Sequence, residues 1–209
     1  MWTCCKWVQF EWCISTIPLI KDLESYSGAI RTKLFKSLES NCENYDEVRN
    51  MLNYEQPSKY LVSSTEYSDN YHTPVLTANK AFILGYTDEI HGVYDKDDCI
   101  IFDDFTMGVK YVTFPFKVKS SAIKILTAKQ NSDLYFMYEY ILYLGLVSEE
   151  HKRHYISEIE PTCIVCPPLQ EQKQIAHTLR ALDQKVENAI IHQDLLSKQK
   201  QYIINQLFI

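Results

Sequence analysis

The stretch from Pro167 to Ile209 constrains this chain more than any other. It opens Pro167-Pro168-Leu169-Gln170-Glu171-Gln172 and then runs without glycine or proline to the end. Prolines suit a helix entrance, where the first N–H groups have no intrahelical partner. Glu171 falls in the first turn, where the helix dipole favours an anion. Apolar residues recur at Ile175, Leu179, Leu182, Val186, Ala189, Leu196, Ile203 and Leu207. Their four-three spacing is a heptad seam, and its polar members, Gln193 and Lys200, cost stability but fix register and partner number. At about 1.5 Å per residue, roughly 40 residues make a rod of ~60 Å. Such a helix cannot bury its stripe alone and needs another long helix, in this chain or another. A helix lying across a globular core is the alternative, but the pattern outruns ordinary globular helices.

A first long helix is predicted over Ile17 to Leu38, capped by Ser15 or Thr16 with Pro18 early in it. Ile20, Leu23, Ile30 and Leu34 make its stripe, with Ser27 on the same face. Gly28 weakens its middle by about 1 kcal/mol relative to alanine. The two helices echo each other. At one constant offset Ile17 matches Ile190, Leu23 matches Leu196, Ile30 matches Ile203, and Leu34-Phe35 matches Leu207-Phe208. A repeated helix on either side of a different middle indicates a modular, pseudo-symmetric design.

The middle has another period. A short helix is expected near Tyr45 to Leu52, closed by Pro57. Strands are expected at Tyr60–Ser63, Ala81–Tyr86, Cys99–Asp103, Val109–Phe114, Ala122–Leu126 and Cys163–Cys166, bounded by turn formers such as Asn79, Gly92 and Asp97-Asp98. Asn131-Ser132-Asp133 caps a helix that runs to Leu144 and stops at Gly145. The expected class is α+β: a mixed, mostly β domain flanked by long coiled-coil helices. Its divisions are an N-terminal segment 1–15 of no assigned role (a strand remnant on the core or poorly ordered), a helix 16–40, a connector 41–57, the β domain 58–166 and the long helix 167–209.

Chemistry narrows the choice of function. The net charge of −6 argues against a generic nucleic-acid binder, so any DNA surface has to come from local charge. Seven cysteines, an odd number, without a secretory layout point to a reducing cytoplasm, and no apolar run spans a membrane. A methyltransferase needs a glycine-rich loop and an Asp/Asn-Pro-Pro-aromatic element. The chain has five glycines and no Gly-x-Gly, and its one Pro-Pro lies between Cys166 and Leu169. Walker and Gly-x-Ser-x-Gly motifs are absent. Asp103-Asp104 is better read as a strand end than as a metal pair. His151-x-x-His154 with Cys163-x-x-Cys166 has zinc-binding residue types, but neighbouring side chains on a strand diverge, so the cysteines would need a turn to converge. Neither catalysis, cofactor nor metal is expected.

One window favours DNA. No acid occurs between Asp104 and Asp133, and the same span carries Lys110, Lys117, Lys119, Lys124 and Lys129. On a strand Lys117 and Lys119 would share a face. Tyr111 adds a hydrogen-bonding group suited to phosphate or base edges, and Lys80 is a weaker candidate.

Several stretches together carry a resemblance. Pro167 to Ala176, followed by Leu182-Asp183-Gln184-Lys185-Val186, resembles the start of the conserved helical region in specificity subunits of type I restriction–modification enzymes. Tyr26-Ser27-Gly28-Ala29-Ile30-Arg31-Thr32-Lys33-Leu34-Phe35 resembles its end. Ile100 to Thr106 and Val118 to Leu126 resemble the family's target recognition domain. The resemblance implies a DNA-reading subunit without catalysis. It would direct methylation (M) and restriction (R) subunits to a bipartite site on double-stranded DNA. In the family two recognition domains are separated by two antiparallel conserved helices; this chain has one such domain, like a half-subunit, and a homodimer through the long helices would restore the pair. The competing class is a coiled-coil assembly protein that never reads DNA.

Overall fold

The computed structural model describes residues 4–77, 82–147 and 154–207, with side chains from residue 21 onward. Expectations that fall on Asn79, Lys80, Ala81, His151 and Phe208 lie outside the described residues, as do the side chains of Ile17, Pro18 and Ile20. Helix α1 runs Cys4–Asn41, so the first helix starts well before Ile17. Cys4 to Ile17 contains no glycine or proline to stop it, and the segment placed at 1–15 as a strand remnant is helical from Cys4. Strand β1 (Tyr45–Glu47), the single turn α2 (Val48–Met51) and β2 (Leu52–Glu55) replace the short helix expected near Tyr45 to Leu52. Partners distant in sequence decide this, because β1 pairs with β9 (Cys163–Val165) and β2 with β8 (Ile123–Ala128). A 3-10 turn at Pro57–Tyr60 and a bridge from Leu61 to Val118 stand where a strand at Tyr60–Ser63 is expected.

The remaining strands are β3 (Thr73–Leu76), β4 (Ile83–Thr87), β5 (Cys99–Asp103), β6 (Val109–Val112) and β7 (Lys117–Val118). An antiparallel sheet has the order β2-β8-β5-β6, and a second sheet has the order β4-β3-β7 with β7 parallel to β3. Strand β5 is buried along its length because both of its faces are covered. Side-chain alternation sends Cys99 and Ile101 to one face, Ile100 and Phe102 to the other. The first face joins Ile123 and Ile125 with Leu76 and Val118 of the second sheet, and Tyr94 and Phe116 stack in the same core. On the other face Tyr155, from a π-helical turn at Tyr155–Ile159, sets its ring 5.4 Å from Phe102 and 5.6 Å from Tyr54. Each large apolar side chain sealed in this way contributes about 1.5–3 kcal/mol.

Helix α3 (Leu134–Tyr143) has the cap its sequence calls for. The Asp133 carboxylate accepts the Phe136 N–H at 2.9 Å, and Gly145 adopts a φ of +58 just past the end. Such a cap contributes about 1 kcal/mol. Helix α4 (Leu169–Leu207) follows the two prolines, and the Pro168 carbonyl accepts from the Glu171 N–H at 2.8 Å. The chain divides into two compact units, Leu38–Ala176 and the parts of α1 and α4 outside it. Among the described residues, no helix is long and apolar enough to cross a membrane.

Candidate nucleic-acid interface

The loop between the 3-10 turn and β3, residues 62–72, has no regular structure, yet it is fastened from beneath. One Glu89 carboxylate oxygen accepts the N–H groups of Ser63 and Ser64, both at 2.8 Å. The other lies 2.7 Å from the Lys117 ammonium, which also donates to the His91 carbonyl at 2.6 Å. Lys117, then the two N–H groups, hold Glu89 below the usual carboxylate range. A second fastening is the Ser68 N–H on the Tyr86 carbonyl at 3.1 Å. Tyr67 packs against Gly85, where any Cβ would stand 2.8 Å from that of Tyr67. Ser64 and Ser68 accept from the N–H groups two residues on, at 2.9 and 3.3 Å. The loop therefore turns at Ser68 to Tyr71, with Asp69 and Asn70 exposed at its tip. Lys119 is exposed beside it, its ammonium 5.9 Å from the Tyr67 ring.

The lysine window divides when folded. Lys110 and Lys119 are exposed. Lys117 is 3% exposed and spent on Glu89, which corrects the expectation that it shares a solvent face with Lys119. Strand β7 holds only two residues, so the alternation that would align the two lysines ends before Lys119. Lys124 is also buried. Its ammonium lies 3.2 Å from Asp104 and donates to the Tyr54 hydroxyl at 3.2 Å. Packing of β8 beneath the π-helical turn explains this. Lys129 donates to the Arg49 carbonyl at 2.6 Å. Tyr111 is half-buried among the rings of Tyr135 and Tyr138 and donates to Asp98 at 2.8 Å. Lys80 lies outside the described residues.

Tyr111 opens onto a groove of about 820 Å³ that is also lined by Asn53, Glu55, Lys96, Asp97 and Asp98. Lys96 is engaged by Glu55 at 2.8 Å and holds that carboxyl below its usual range. Three carboxylates against one paired lysine make this side poor ground for phosphate. Beside the loop, a cleft of about 380 Å³ is lined by His72, Thr73, Tyr86 and Phe114, among others.

The acids considered for metal binding hold the fold instead. Asp103 accepts from the Phe105 N–H at 3.0 Å and the Thr106 hydroxyl at 2.5 Å. Asp104 accepts the N–H groups of His154 and Tyr155 at 2.9 and 2.7 Å, which anchors the π-helical turn. His154 is buried against Glu158 at 2.8 Å. Cys163 is exposed and Cys166 half-buried. Among the described residues, no three His, Cys, Asp or Glu side chains cluster as a metal site.

In the helical unit, Arg31 reaches Asp183 and also donates to the buried Ser27 hydroxyl at 2.6 Å. Along α4 the seam grows more open toward its end. Leu179 is fully buried; Leu182, Val186 and Leu196 are half-buried; Ile203 and Leu207 are exposed. Ile175, on the first turns, is half-buried.

A family model described as the type I restriction modification DNA specificity domain matches residues 47–204. The chain belongs to this family. It is 43% identical over 160 residues to the type I restriction enzyme EcoR124I/EcoR124II specificity subunit of Escherichia coli, covering 71% of this chain and 40% of that subunit. A putative type I restriction enzyme MjaX specificity subunit of Methanocaldococcus jannaschii is 27% identical over 158 residues, 71% of this chain and 34% of that one. The chain thus spans about two fifths or less of these relatives. The fold is shared with the S subunit from M. genitalium, with a TM-score of 0.66 at 17% identity, covering 95% of this chain and 56% of that chain. It is shared also with the HsdS subunit from Thermoanaerobacter tengcongensis, with a TM-score of 0.54 at 14% identity, covering 96% and 56%.

Two residues of this family member escaped sequence reasoning as individuals. Gln172 lies inside the motif quoted for the family, but nothing in that motif marked it as the buried residue it is. Glu89 carries no local signal, since its partners come from other elements.

Proposed function

We propose that this chain is a non-catalytic DNA-specificity subunit of a type I restriction–modification system, built as a half-subunit with one target recognition domain. The family match across residues 47–204 carries the proposal, because it runs from the strands into the long helix. In this reading Leu38–Ala176 is the recognition domain, α1 and α4 are the conserved coiled-coil helices, and methylation and restriction subunits are directed to the chosen site. Lys119 and Lys110, both exposed, are the phosphate contacts.

The helices supply the second copy. Exposed Leu195, Tyr202 and Leu207, at 57%, 65% and 70%, leave apolar surface on α4. Soluble homo-oligomers are most often two-fold dimers, and such a dimer sets two recognition domains apart and inverted. A rod of ~60 Å limits them to under about 18 base pairs at ~3.4 Å per pair. The site is then two inverted half-sites with an unread spacer.

The test is binding of the full chain to mixed-sequence duplex at rising salt, beside sedimentation. Lys119→Ala should weaken binding on all sequences and flatten the salt slope by about one unit. Leu195→Asp with Leu207→Asp should break the dimer and cost site-specific binding. A dimer with no salt-dependent DNA binding would favour the assembly protein instead. A monomer at micromolar concentration would overturn the two-part site.

A further inference from the structure

Base reading demands hydrogen-bonding side chains that are exposed, yet held in one place before DNA arrives. Amide, carboxylate and hydroxyl groups match base edges in the major groove. Preorganised loops lose less freedom on binding than floppy ones. Loop 62–72 meets both conditions. It presents Ser63, Thr65, Glu66, Asp69, Asn70 and His72 to solvent. It is pinned through Ser63 and Ser64 to Glu89, and through Ser68 to the Tyr86 carbonyl. Lys119 stands beside the loop, its ammonium 5.9 Å from the Tyr67 ring. The groove at Tyr111, in contrast, is lined by Glu55, Asp97 and Asp98.

We infer that loop 62–72 is the sequence-reading element, with Asn70 and Asp69 meeting base edges, Lys119 meeting the adjacent phosphate, and Glu89 acting as the positioning residue that holds the loop. This rests on the DNA-reading role proposed above. Asparagine pairs with adenine in two hydrogen bonds, and a carboxylate accepts from the cytosine amino group. The carboxylate at the tip repels phosphate, so it favours the groove over the backbone. Glu89 touches no base. It fixes the start of the loop at Ser63 and Ser64, and losing it loosens the base from which the tip projects without removing a phosphate contact.

The experiment is selection of bound sequences from a randomised duplex pool by the full chain, repeated with Asn70→Ala and Glu89→Gln. Affinities for the winning duplex and for a scrambled one are then measured. The unmodified chain should enrich a motif. Asn70→Ala, an exposed change that leaves the melting temperature in place, should lose preference at one or two adjacent positions. Glu89→Gln should cut the ratio of selected to scrambled affinity about tenfold, with the scrambled affinity held within about twofold. If Asn70→Ala and Glu89→Gln select the unmodified motif, this inference is overturned while DNA reading stands. If Glu89→Gln weakens both duplexes equally, its positioning role is overturned. If the unmodified chain selects no motif, the DNA reading itself fails and takes the inference with it.

Discussion

Arg31 and Asp183 form an ion pair although 152 positions separate them in the chain. Each belongs to a stretch that resembles an opposite end of the family's conserved helical region, so the two ends are chemically joined in the helical unit. Ser27 is buried behind them and gives Arg31 a second acceptor at 2.6 Å. An arginine held by two acceptors has fewer ways to turn aside, which lowers the entropy lost on pairing.

A double-mutant cycle on Arg31→Ala and Asp183→Ala should return a coupling of about 0.5–1 kcal/mol, since both groups are partly exposed. Urea midpoints of the four variants measure it. Strictly additive losses would mean that the pair contributes nothing.

Gln172 is fully buried, and its side chain accepts the Asp133 N–H at 2.9 Å while donating to the Pro167 carbonyl at 2.8 Å. It locks the start of α4 to the cap of α3. Gln172→Leu should destabilise by about 1–3 kcal/mol, because it strands a buried donor and acceptor. Gln172→Glu should cost at least as much, having no N–H to give Pro167. Equal denaturation curves for Gln172→Leu and the unmodified chain would refute the role.

Lys124 and Asp104 are a buried pair 3.2 Å apart. Lys124→Met alone should cost about 3–5 kcal/mol by leaving a buried carboxylate uncompensated. Lys124→Met with Asp104→Asn should recover part of that loss, since the introduced amide is neutral and its carbonyl oxygen still accepts from His154 and Tyr155. Thermal melts of the single and double variants decide it, and a double variant no more stable than Lys124→Met alone would count against this account.

Acid should loosen the 62–72 loop. Glu89 is held below its ordinary value of 4.5 by Lys117 and the loop N–H groups. A depressed carboxyl contributes stability that is complete above the unfolded value and is lost as pH falls through the folded one. Amide exchange at Ser63 and Ser64, corrected for the intrinsic rate, should therefore rise as pH drops below about 4.5. In Glu89→Gln that protection should be lower at neutral pH and flat across the same window. A parallel acid response in both proteins would place the titrating group elsewhere.

Local rules were enough for α4, α3 and β5. Two prolines, an early acid and a run free of glycine and proline specify α4 within its own residues. Asp133 and Gly145 specify the two ends of α3, and the apolar run Cys99 to Phe102 specifies a strand because it is short and bounded by turn residues. Each signal lies within a few positions of its effect. The tertiary structure decided what depends on distant partners. Tyr45 to Leu52 breaks into two strands around one turn because β9 and β8 supply the hydrogen bonds. The lysine window shows its sign in the sequence, but not which charges reach solvent. Lys124 turns inward because Tyr54, 70 positions away, and Asp104 meet it there. Lys117 does the same because Glu89 and His91 do. Burying a charge is costly unless a partner waits, and only the folded chain brings that partner to it.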